Sequence, residues 1–555
     1  MVDWRAIAKE RRAAQAAQIP PELRLKSIPD GLVNAVEYVE SCGLLSAEEL
    51  QLTAITDARV LVEKLASGAI SSVRLTSAFI KRTAILQQLV GCCTEIFFDE
   101  ALKWAEALDK HLAETGKLIG PLHGVPVSVK DGFDVKGVDT TIGWVGLVGK
   151  PASENGPEVD SLLDLGAVVY CKTNVPQHLM MADSYNHVFG QCVNPFNRNL
   201  ISGGSSGGEG ALVGGRGSVL GMGTDLGGSI RIPAGLQGLY GLCPTIGRVP
   251  FLKAARDQEY IVPPVAGPLT HSLATLEYYL DGLLSTSPWD TDPRSFPVPW
   301  RKELAAPPKT PLKLAFIFDD GIVKPQPPAA RAVREAAEKV RAAGHEVVEW
   351  DTKTHVEGIQ LWLKAVLADG GKGCRDIREL IDEPLIEGMV IGQEENFLDV
   401  AERQQLSMEK LRYEKAFLAQ WKAAGIDGIV MPIAPWVSFK PKTWVKSKQW
   451  IGYSALWNLL NYTALAVPGT KADAELDQPG EDWKKHVPRN ESDEFNYEQC
   501  EYSCRDAYEL ESFADEHVAD DVNLAHGMPV GLQVVTGRFG EEKAVAIAKV
   551  LESLK

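Results

Sequence analysis

The chain has 555 residues, of which 45% are apolar and 24% charged, proportions typical of a soluble globular protein with ample material for a core. No apolar run is long enough to span a membrane, and the N-terminal residues lack the apolar stretch of a secretory signal. The net charge of −17 argues against nucleic acid as a general partner, because phosphate binding requires clustered lysine and arginine.

The first 50 residues are predicted to form a helical arm. Residues 1–22 mix basic residues with alanine, which favours a short amphipathic helix packed on the body or on a second subunit, so a homodimer is one expectation. The nine cysteines are odd in number and follow no secretion signal, which favours reduced thiols and a cytoplasmic location. The close cysteine pairs do not lie among histidines at zinc-ligand spacing, so we expect no metal.

Two segments in the first third of the chain predict strands. Residues 125–129 place valine at every second position, the pattern of a half-buried strand. Residues 161–165 indicate the end of a helix, Gly166 its stop, and residues 167–171 a buried strand.

The second half repeats this alternation of strand and helix. Residues 312–318 and 346–350 are strand candidates, and apolar residues at helical spacing over 333–343 predict a helix between them, which makes a βαβ unit. Residues 529–536 predict a further strand and 541–554 an amphipathic helix. Together these patterns favour an α/β fold with a mixed or parallel sheet.

Residues 51–555 are expected to form one body with two insertions. Residues 370–425 are polar with a helical pattern and are predicted to form a helical insertion. Residues 471–521 contain 17 acidic and five basic residues, a net charge of −12. This second segment is therefore predicted to be an acidic surface insertion.

The strongest anomaly lies between Gly203 and Gly247, where 16 of 45 residues are glycine. The chain average predicts about four. A low-complexity linker does not explain the excess, because apolar residues, Asp225 and Arg231 are interleaved in a non-repeating order. Close approach of chain to chain explains the glycines but not the serines placed at the glycine turns.

The run Leu226-Gly227-Gly228-Ser229 presents consecutive N–H groups with few side chains. If these groups converge, they form an anion cradle or an oxyanion hole, with Ser229 as nucleophile. Three rival patterns fail here, namely the P-loop, the dinucleotide-binding G-x-G-x-x-G and the G-x-S-x-G elbow. A phosphate-binding role is therefore disfavoured.

A nucleophilic serine needs a base, and no histidine lies in the glycine-rich segment. Lys130 ends the predicted apolar strand, where desolvation lowers the pKa of a lysine and can leave it neutral. From residue chemistry alone, a surface charge remains the commoner role for such a lysine.

Several motifs together resemble the amidase signature family, most closely its fungal acetamidase-type members. They are GGSSGGEGA at 203–211, GTDLGGSIRIPA at 223–234, GPLHGVP at 120–126 followed by Lys130-Asp131, KTNVPQ at 172–177, VNP at 193–195 and GMPVGLQ at 527–533. The resemblance runs from about residue 50 to the end. It implies a large mixed twisted sheet covered by helices on both faces, in one amidase signature domain over 51–555.

The resemblance also implies a Ser–cisSer–Lys mechanism. Ser229 corresponds to the acylated nucleophile, Ser205 to the bridging serine with a cis peptide bond, and Lys130 to the base. Neutral Lys130 accepts a proton from Ser205, which accepts one from Ser229, and water later hydrolyses the acyl-enzyme. Ser206, Asp225 and Arg231 are expected to brace the site.

The implied activity is hydrolysis of the carbon–nitrogen bond of small carboxylic acid amides, without a cofactor. The N–H groups of Leu226, Gly227, Gly228 and Ser229 are expected to hold the oxyanion. By position, Met180 and Met181 are expected to line the acyl pocket with Leu179, although plain core packing is an equal alternative. The aromatic residues Trp144, Tyr185, Trp436 and Trp457 are expected to wall or close it.

Three other functions are weighed at this point. The first is the amidase subunit of a glutamine-dependent tRNA amidotransferase, which would need partner subunits, but the Glu209-Gly210 form of the motif and the N-terminal arm disfavour it. A membrane fatty-amide hydrolase is disfavoured because no N-terminal anchor is evident. A non-catalytic protein that binds a ligand through the glycine-rich loop is disfavoured by the presence of Ser229, Ser205 and Lys130.

Overall fold

The structure, a computed structural model, describes residues 3–251, 261–446, 450–500 and 524–554. Its centre is an eleven-stranded sheet, accompanied by a separate two-stranded sheet. In chain order the strands are β1 (Cys93–Ile96), β2 (Pro126–Lys130), β3 (Val168–Thr173), β4 (Tyr185–Asn186), β5 (Gly190–Gln191), β6 (Leu220–Asp225), β7 (Tyr240–Cys243), β8 (Val265–Thr270), β9 (Lys313–Phe316), β10 (Glu346–Glu349), β11 (Gly428–Pro432), β12 (Ala464–Lys471) and β13 (Pro529–Val535).

Helices surround this sheet. In chain order they are α1 (Trp4–Ala17), α2 (Ala35–Ser41), α3 (Ala47–Ala54), α4 (Ala58–Ala66), α5 (Ser72–Val90), α6 (Phe98–Thr115), α7 (Pro157–Asp164), α8 (Gly207–Gly214), α9 (Arg231–Leu236), α10 (Leu273–Ser285), α11 (Lys302–Ala305), α12 (Pro327–Ala342), α13 (His355–Leu367), α14 (Lys372–Arg378), α15 (Val400–Ala424), α16 (Gly452–Leu460), α17 (Glu481–Lys484), α18 (Glu491–Glu498) and α19 (Glu541–Ser553). No helix among the described residues is long and apolar enough to cross a membrane.

The sheet is mixed, as predicted. Its strand order is β1-β3-β2-β6-β8-β7-β12-β13-β11-β9-β10. Strand β2 runs parallel to both β3 and β6, and β9 runs parallel to both β10 and β11. Strands β8, β7, β12 and β13 pair antiparallel in the middle.

Helices cover both faces of the sheet, which confirms the predicted architecture. In β11, Val430 packs in a cluster with residues of α12 and α19. Its neighbours Ile429 and Met431 point the other way, into a cluster with residues of α13, α15 and α16. Because successive strand residues face opposite sides, each strand supplies both layers of the core.

The predicted elements are confirmed, with shifted ends. The predicted βαβ unit is formed by β9, α12 and the parallel strand β10. Strand β9 stops at Phe316 rather than at residue 318, because the carboxylate of Asp320 accepts the N–H groups of Ile322 and Val323 and turns the chain. Strand β3 continues through the polar residues Lys172 and Thr173, which pair with β1 and β2.

The N-terminal arm contacts the body through polar side chains of α1. The side-chain amide of Gln15 donates to the carbonyl groups of Cys93 and Thr94, at 2.8 Å each. Arg11 pairs with Glu95 on β1. The first helix is thereby attached to an edge strand of the sheet.

The two predicted insertions differ in character. Residues 370–425 contain α14 and the long helix α15, with mainly irregular chain between them. The described part of the acidic segment is not wholly solvated, since Trp483 is buried and the buried Asp477 pairs with Arg331 at 2.6 Å. Residues 501–521 of the predicted acidic insertion lie outside the described residues.

The short helix α8 is entirely buried and contains four glycines. A Cβ atom at Gly208 would overlap the backbone nitrogen of Asn174 and the carbonyl oxygen of Cys92. Only glycine therefore allows α8 to lie this close to the chain that leaves β3.

We expect Gly208→Ala to lower the free energy of unfolding by about 1–3 kcal/mol, although alanine gains about 1 kcal/mol of helix propensity over glycine. The overlap is with backbone atoms, which cannot rotate away. The midpoint of urea unfolding measures this change. Gly537→Ala is the matched control, because a Cβ there has open space, and an equal loss in both variants would contradict the packing argument.

Candidate active site

Lys130 is the last residue of β2, and its side chain is fully buried. Its Nζ donates to Ser205 Oγ at 2.8 Å and to Thr224 Oγ1 at 2.8 Å. Thr224 lies near the end of β6, which runs parallel to β2. The lysine therefore emerges where the carboxyl ends of adjacent parallel strands meet, a usual place for a ligand site in such sheets.

Ser205 lies in a tight loop that leads directly into α8. The peptide bond between Gly204 and Ser205 is cis, and Gly203 has a positive φ of 86°. The next residue, Ser206, donates its backbone N–H to the carbonyl of Ser229 at 3.1 Å. Its hydroxyl exchanges hydrogen bonds with the backbone of Thr224. Ser206 thus ties the Ser205 loop to the segment that bears Ser229.

Ser229 is half-buried and follows Gly228, which has a φ of 126°. Ser229 and Ser205 both line one cavity of about 800 Å³. The three residues singled out from the sequence are thus brought together: Lys130 contacts Ser205, and Ser205 shares a cavity wall with Ser229.

Asp225 and Arg231 form a fully buried ion pair beside this loop. Arg231 Nη2 lies 2.9 Å from Asp225 Oδ1, and Arg231 Nε lies 3.0 Å from Oδ2. Burial alone would raise the pKa of Asp225, but the Arg231 charge and several hydrogen bonds outweigh it and lower the pKa to about 2. Arg231 also donates to the Ser454 carbonyl and to Gln533, which fastens the loop to α16 and β13.

The backbone amides after β6 differ from the sequence expectation at one position. The N–H of Gly228 donates to Asp225 Oδ1 at 2.8 Å, so in this structure it does not face the cavity as the predicted oxyanion donor. The N–H groups of Gly227 and Ser229 have no hydrogen-bond partner in the described part of the chain. Asp225 shapes the turn by accepting from the amides of Gly228, Ile230 and Arg231, while those of Gly227 and Ser229 are left available.

Met180 and Leu179, which the sequence predicts in an acyl pocket, line the large cavity. Met181 lines instead a second, small pocket of about 40 Å³ that also contains Ser229, Trp362 and Ile232. Ser229 therefore lies between a large cavity and a small apolar one.

The prediction that four aromatic residues wall or close the pocket is wrong. Trp144, Tyr185, Trp436 and Trp457 are absent from the described residues that line either cavity. Trp144 instead packs edge-on against His178, and Trp457 packs against His355 and Phe417 in the core. These aromatic side chains stabilise the layers around the site rather than its surface.

Residues that sequence reasoning missed come from α13 and the chain after it. Trp362 donates its indole N–H to the carbonyl of Leu226 at 2.9 Å and closes the small pocket. The residues from 365 to 403 supply much of the large cavity wall, including Val366, Ile377 and Val390. No sequence signal marks these positions, because they lie more than 130 residues beyond Leu226.

The cap region, residues 379–399, is attached by polar contacts to the loops before and after β3. The buried carboxylate of Glu383 accepts from Gln177 Nε2 at 2.9 Å and from the Val145 N–H. The N–H of Val390 donates to the Met180 carbonyl at 2.8 Å. These contacts hold the far wall of the cavity against the wall that carries Met180.

Comparisons with known proteins agree with one another. The family model described as Amidase matches residues 74–545. The chain is 35% identical to an acetamidase of Emericella nidulans over 99% of this chain and 98% of the relative, and 34% identical to an acetamidase of Aspergillus oryzae over the same shares. The solved structure of a fatty acid amide hydrolase superposes with a TM-score of 0.89 and 32% identity, over 99% of this chain and 94% of that one. A bacterial aryl acylamidase shares the fold, with a TM-score of 0.69 and 20% identity over 90% and 96% of the two chains.

We expect Asp225→Asn to destabilise the protein by about 3–5 kcal/mol, because it leaves Arg231 buried without a counter-charge. The asparagine amide nitrogen cannot accept a hydrogen bond, so either the Gly228 or the Ile230 N–H of the turn loses its acceptor, and the labelling of Ser229 by a fluorophosphonate should slow about 100-fold. Urea unfolding and the labelling rate measure the two effects.

Asp477→Asn is the matched control for this variant. It breaks the ion pair with Arg331, which lies away from the cavity lining. The control should lose stability but keep its labelling rate. Equal labelling rates in both variants would contradict the role assigned to Asp225.

Proposed function

Since this chain belongs to the amidase signature family, we propose that it hydrolyses small carboxylic acid amides to the acid and ammonia or an amine, through an acyl-enzyme on Ser229. The observation that carries this proposal is the buried amine of Lys130, 2.8 Å from Ser205 Oγ at the wall of a cavity that also contains Ser229. A base, a bridging hydroxyl and a nucleophile are the parts that amide cleavage requires.

In the proposed reaction, neutral Lys130 accepts a proton from the hydroxyl of Ser205, and Ser205 accepts one from Ser229. The Ser229 oxygen then attacks the amide carbon. The proton returns through Ser205 to the leaving nitrogen as the carbon–nitrogen bond breaks. Water then enters, and the same relay takes its proton as the ester to Ser229 is hydrolysed.

The oxyanion that forms on attack is proposed to accept hydrogen bonds from Leu226, Gly227 and Ser229. Gly228, whose amide is engaged with Asp225, is left out of this set. The Trp362 indole and the Ser454 hydroxyl bind the carbonyl groups of Leu226 and Gly227, at 2.9 and 2.5 Å. The first of these bonds fixes the peptide plane that carries the Gly227 N–H, a proposed oxyanion donor. The second fixes the plane that carries the Gly228 N–H, which Asp225 engages.

The volume of the large cavity favours substrates larger than acetamide. Its volume of about 800 Å³ lies within the range of about 300–1,000 Å³ that holds drug-sized ligands. The apolar part of its wall suits an aliphatic or aromatic acyl group. The pocket of about 40 Å³ suits a small group such as the leaving amine. The two relatives named acetamidase support amide substrates generally.

The proposed compartment is the cytoplasm. The eight cysteines among the described residues are all free thiols, a state that a reducing compartment maintains. The homodimer remains a prediction.

Ser229→Ala should abolish amide turnover, by about 10⁴-fold or more, because the attacking oxygen is removed. Lys130→Ala and Ser205→Ala should each lower kcat/KM by about 10²–10⁴-fold through loss of the relay. The Lys130 variant should recover partly at high pH, where hydroxide can replace the base. Steady-state release of ammonia from benzamide measures these changes.

Ser72→Ala is the matched control, since Ser72 is a fully buried serine in α5 whose hydroxyl has no hydrogen-bond partner among the described residues. It should keep wild-type turnover. Retained amidase activity in Ser229→Ala, with the fold intact, would contradict the assignment.

Val366 lies one helical turn beyond Trp362 and lines only the large cavity of the two. Val366→Phe should lower kcat/KM for hexanamide and benzamide by about tenfold or more, because the added ring fills space that their acyl groups need. Acetamide should be cleaved as before. Two results would show that the large cavity does not bind the acyl group. One is a wild-type enzyme with its highest kcat/KM for acetamide, and the other is a Val366→Phe variant whose kcat/KM falls equally for all three amides.

A further inference from the structure

Glu209 is a fully buried carboxyl group in the first turn of α8, four residues after Ser205. Both of its oxygens are engaged by hydroxyl groups. Oε2 accepts from Ser128 Oγ at 2.6 Å, and Oε1 accepts from Thr173 Oγ1 at 2.8 Å. The mechanism described above does not use this group.

The two hydroxyl partners flank Lys130. Ser128 precedes it by two residues on β2 and so lies on the same side of the strand. Thr173 is the residue opposite Lys130 in the pairing of β2 with β3. One carboxyl group thus links the strand that ends in Lys130, its neighbouring strand and the helix that begins after the Ser205 loop.

The sheet leaves space for this group. Gly221 on β6 is the register partner of Ser128, and a Cβ at Gly221 would overlap Glu209 Oε2. A larger residue at position 221 would displace the carboxyl from its two hydroxyl partners.

The pKa of Glu209 depends on its burial, on its two hydroxyl partners and on the nearby ionisable groups. Burial raises the pKa of Glu209 to about 8, although the hydrogen bonds from Ser128 and Thr173 and the charge of Lys130 lower it in part. The thiols that act on Glu209 are those of Cys92, Cys93 and Cys171.

The pKa of each of these thiols is raised, first by burial for Cys92 and Cys171, and first by its contact with Cys171 for Cys93. They are therefore neutral at the working pH. The carboxylate of Asp131, next to Lys130, is directed elsewhere and accepts from Thr94 and Thr141. Lys130 is thus the cation that faces Glu209.

We propose that Glu209 is a positioning residue whose ionisation sets that of Lys130. The inference rests on the proposed function, in which neutral Lys130 is the base. An ionised Glu209 favours the charged, inactive form of Lys130, and a protonated Glu209 favours the neutral form. The two groups titrate as a linked pair. The pH at which kcat/KM rises on the acid side of its pH profile, the acid limb, therefore depends on both groups.

The test is the pH dependence of kcat/KM for benzamide between pH 6 and 10 in the wild type and in Glu209→Gln. Glutamine keeps the size, its oxygen still accepts from one of the two hydroxyl groups and its amide nitrogen donates to the other, but it carries no negative charge. Lys130 then loses its proton more easily, and the acid limb should move at least about 0.5 pH unit lower. A purely structural Glu209 would leave the limb in place, and an unchanged limb in a folded, active variant would overturn the proposal.

Ser128→Ala provides a second route if the glutamine variant does not fold. It removes the donor at 2.6 Å that favours the ionised carboxylate, so the limb should shift in the same direction, and no shift would again overturn the proposal. Asp320→Asn is the matched control, because Asp320 is a buried carboxyl whose pKa burial raises to about 7 and whose partners are Trp450 and backbone amides rather than Lys130. Its limb should match the wild type.

Activity of the wild type and of Ser229→Ala separates the two claims. An inactive wild type, or an active Ser229→Ala, contradicts the proposed function. An active wild type and an inactive Ser229→Ala, with an unchanged limb in Glu209→Gln, contradict only the link between Glu209 and Lys130.

Discussion

The hydrogen bond between Lys130 Nζ and Ser205 Oγ is the contact on which the arrangement of the site depends. It joins the end of a central strand to a loop that lies 75 residues further along the chain. A fully buried amine requires polar partners, because the interior offers no water to replace them. Thr224 at the end of β6 supplies a second hydroxyl at 2.8 Å, so the lysine binds two segments of the glycine-rich region at once.

Backbone hydrogen bonds and a buried ion pair, as well as apolar packing, hold those two segments together. Ser206 connects the loop of Ser205 to the backbone of Ser229 and Thr224. Asp225 and Arg231 brace the turn before Ser229, and Arg231 extends the brace to α16 and β13. Glycines allow these backbones to approach each other, which explains why the excess of glycine coincides with the site.

The strands and helices of the fold could be predicted because their signals are local. Alternating valines indicated β2, and helical spacing indicated α12 between two parallel strands. The end of β3 was missed because Lys172 and Thr173 look like loop residues, yet they stay paired with β1 and β2. Tertiary pairing decides such ends, and no single segment contains that information.

The site was predictable only in part. Residue chemistry indicated Ser229 and its neighbouring amides, whereas Ser205 was assigned from family resemblance. The engagement of the Gly228 amide by Asp225 depends on the turn geometry. Part of the cavity wall comes from the chain between α13 and α15. No motif therefore marks Trp362 as a pocket residue, and none shows that Trp436 lies outside the pocket.

The central claim is that Ser229 becomes acylated. The most direct measurement is an acid quench of the enzyme during turnover of an aryl anilide, followed by trypsin and tandem mass spectrometry. Ser205 falls in the peptide 199–216 and Ser229 in the peptide 217–231. We expect the acyl group on Ser229, in the second peptide. An acyl group on Ser205, or turnover without any acylated serine, would contradict it.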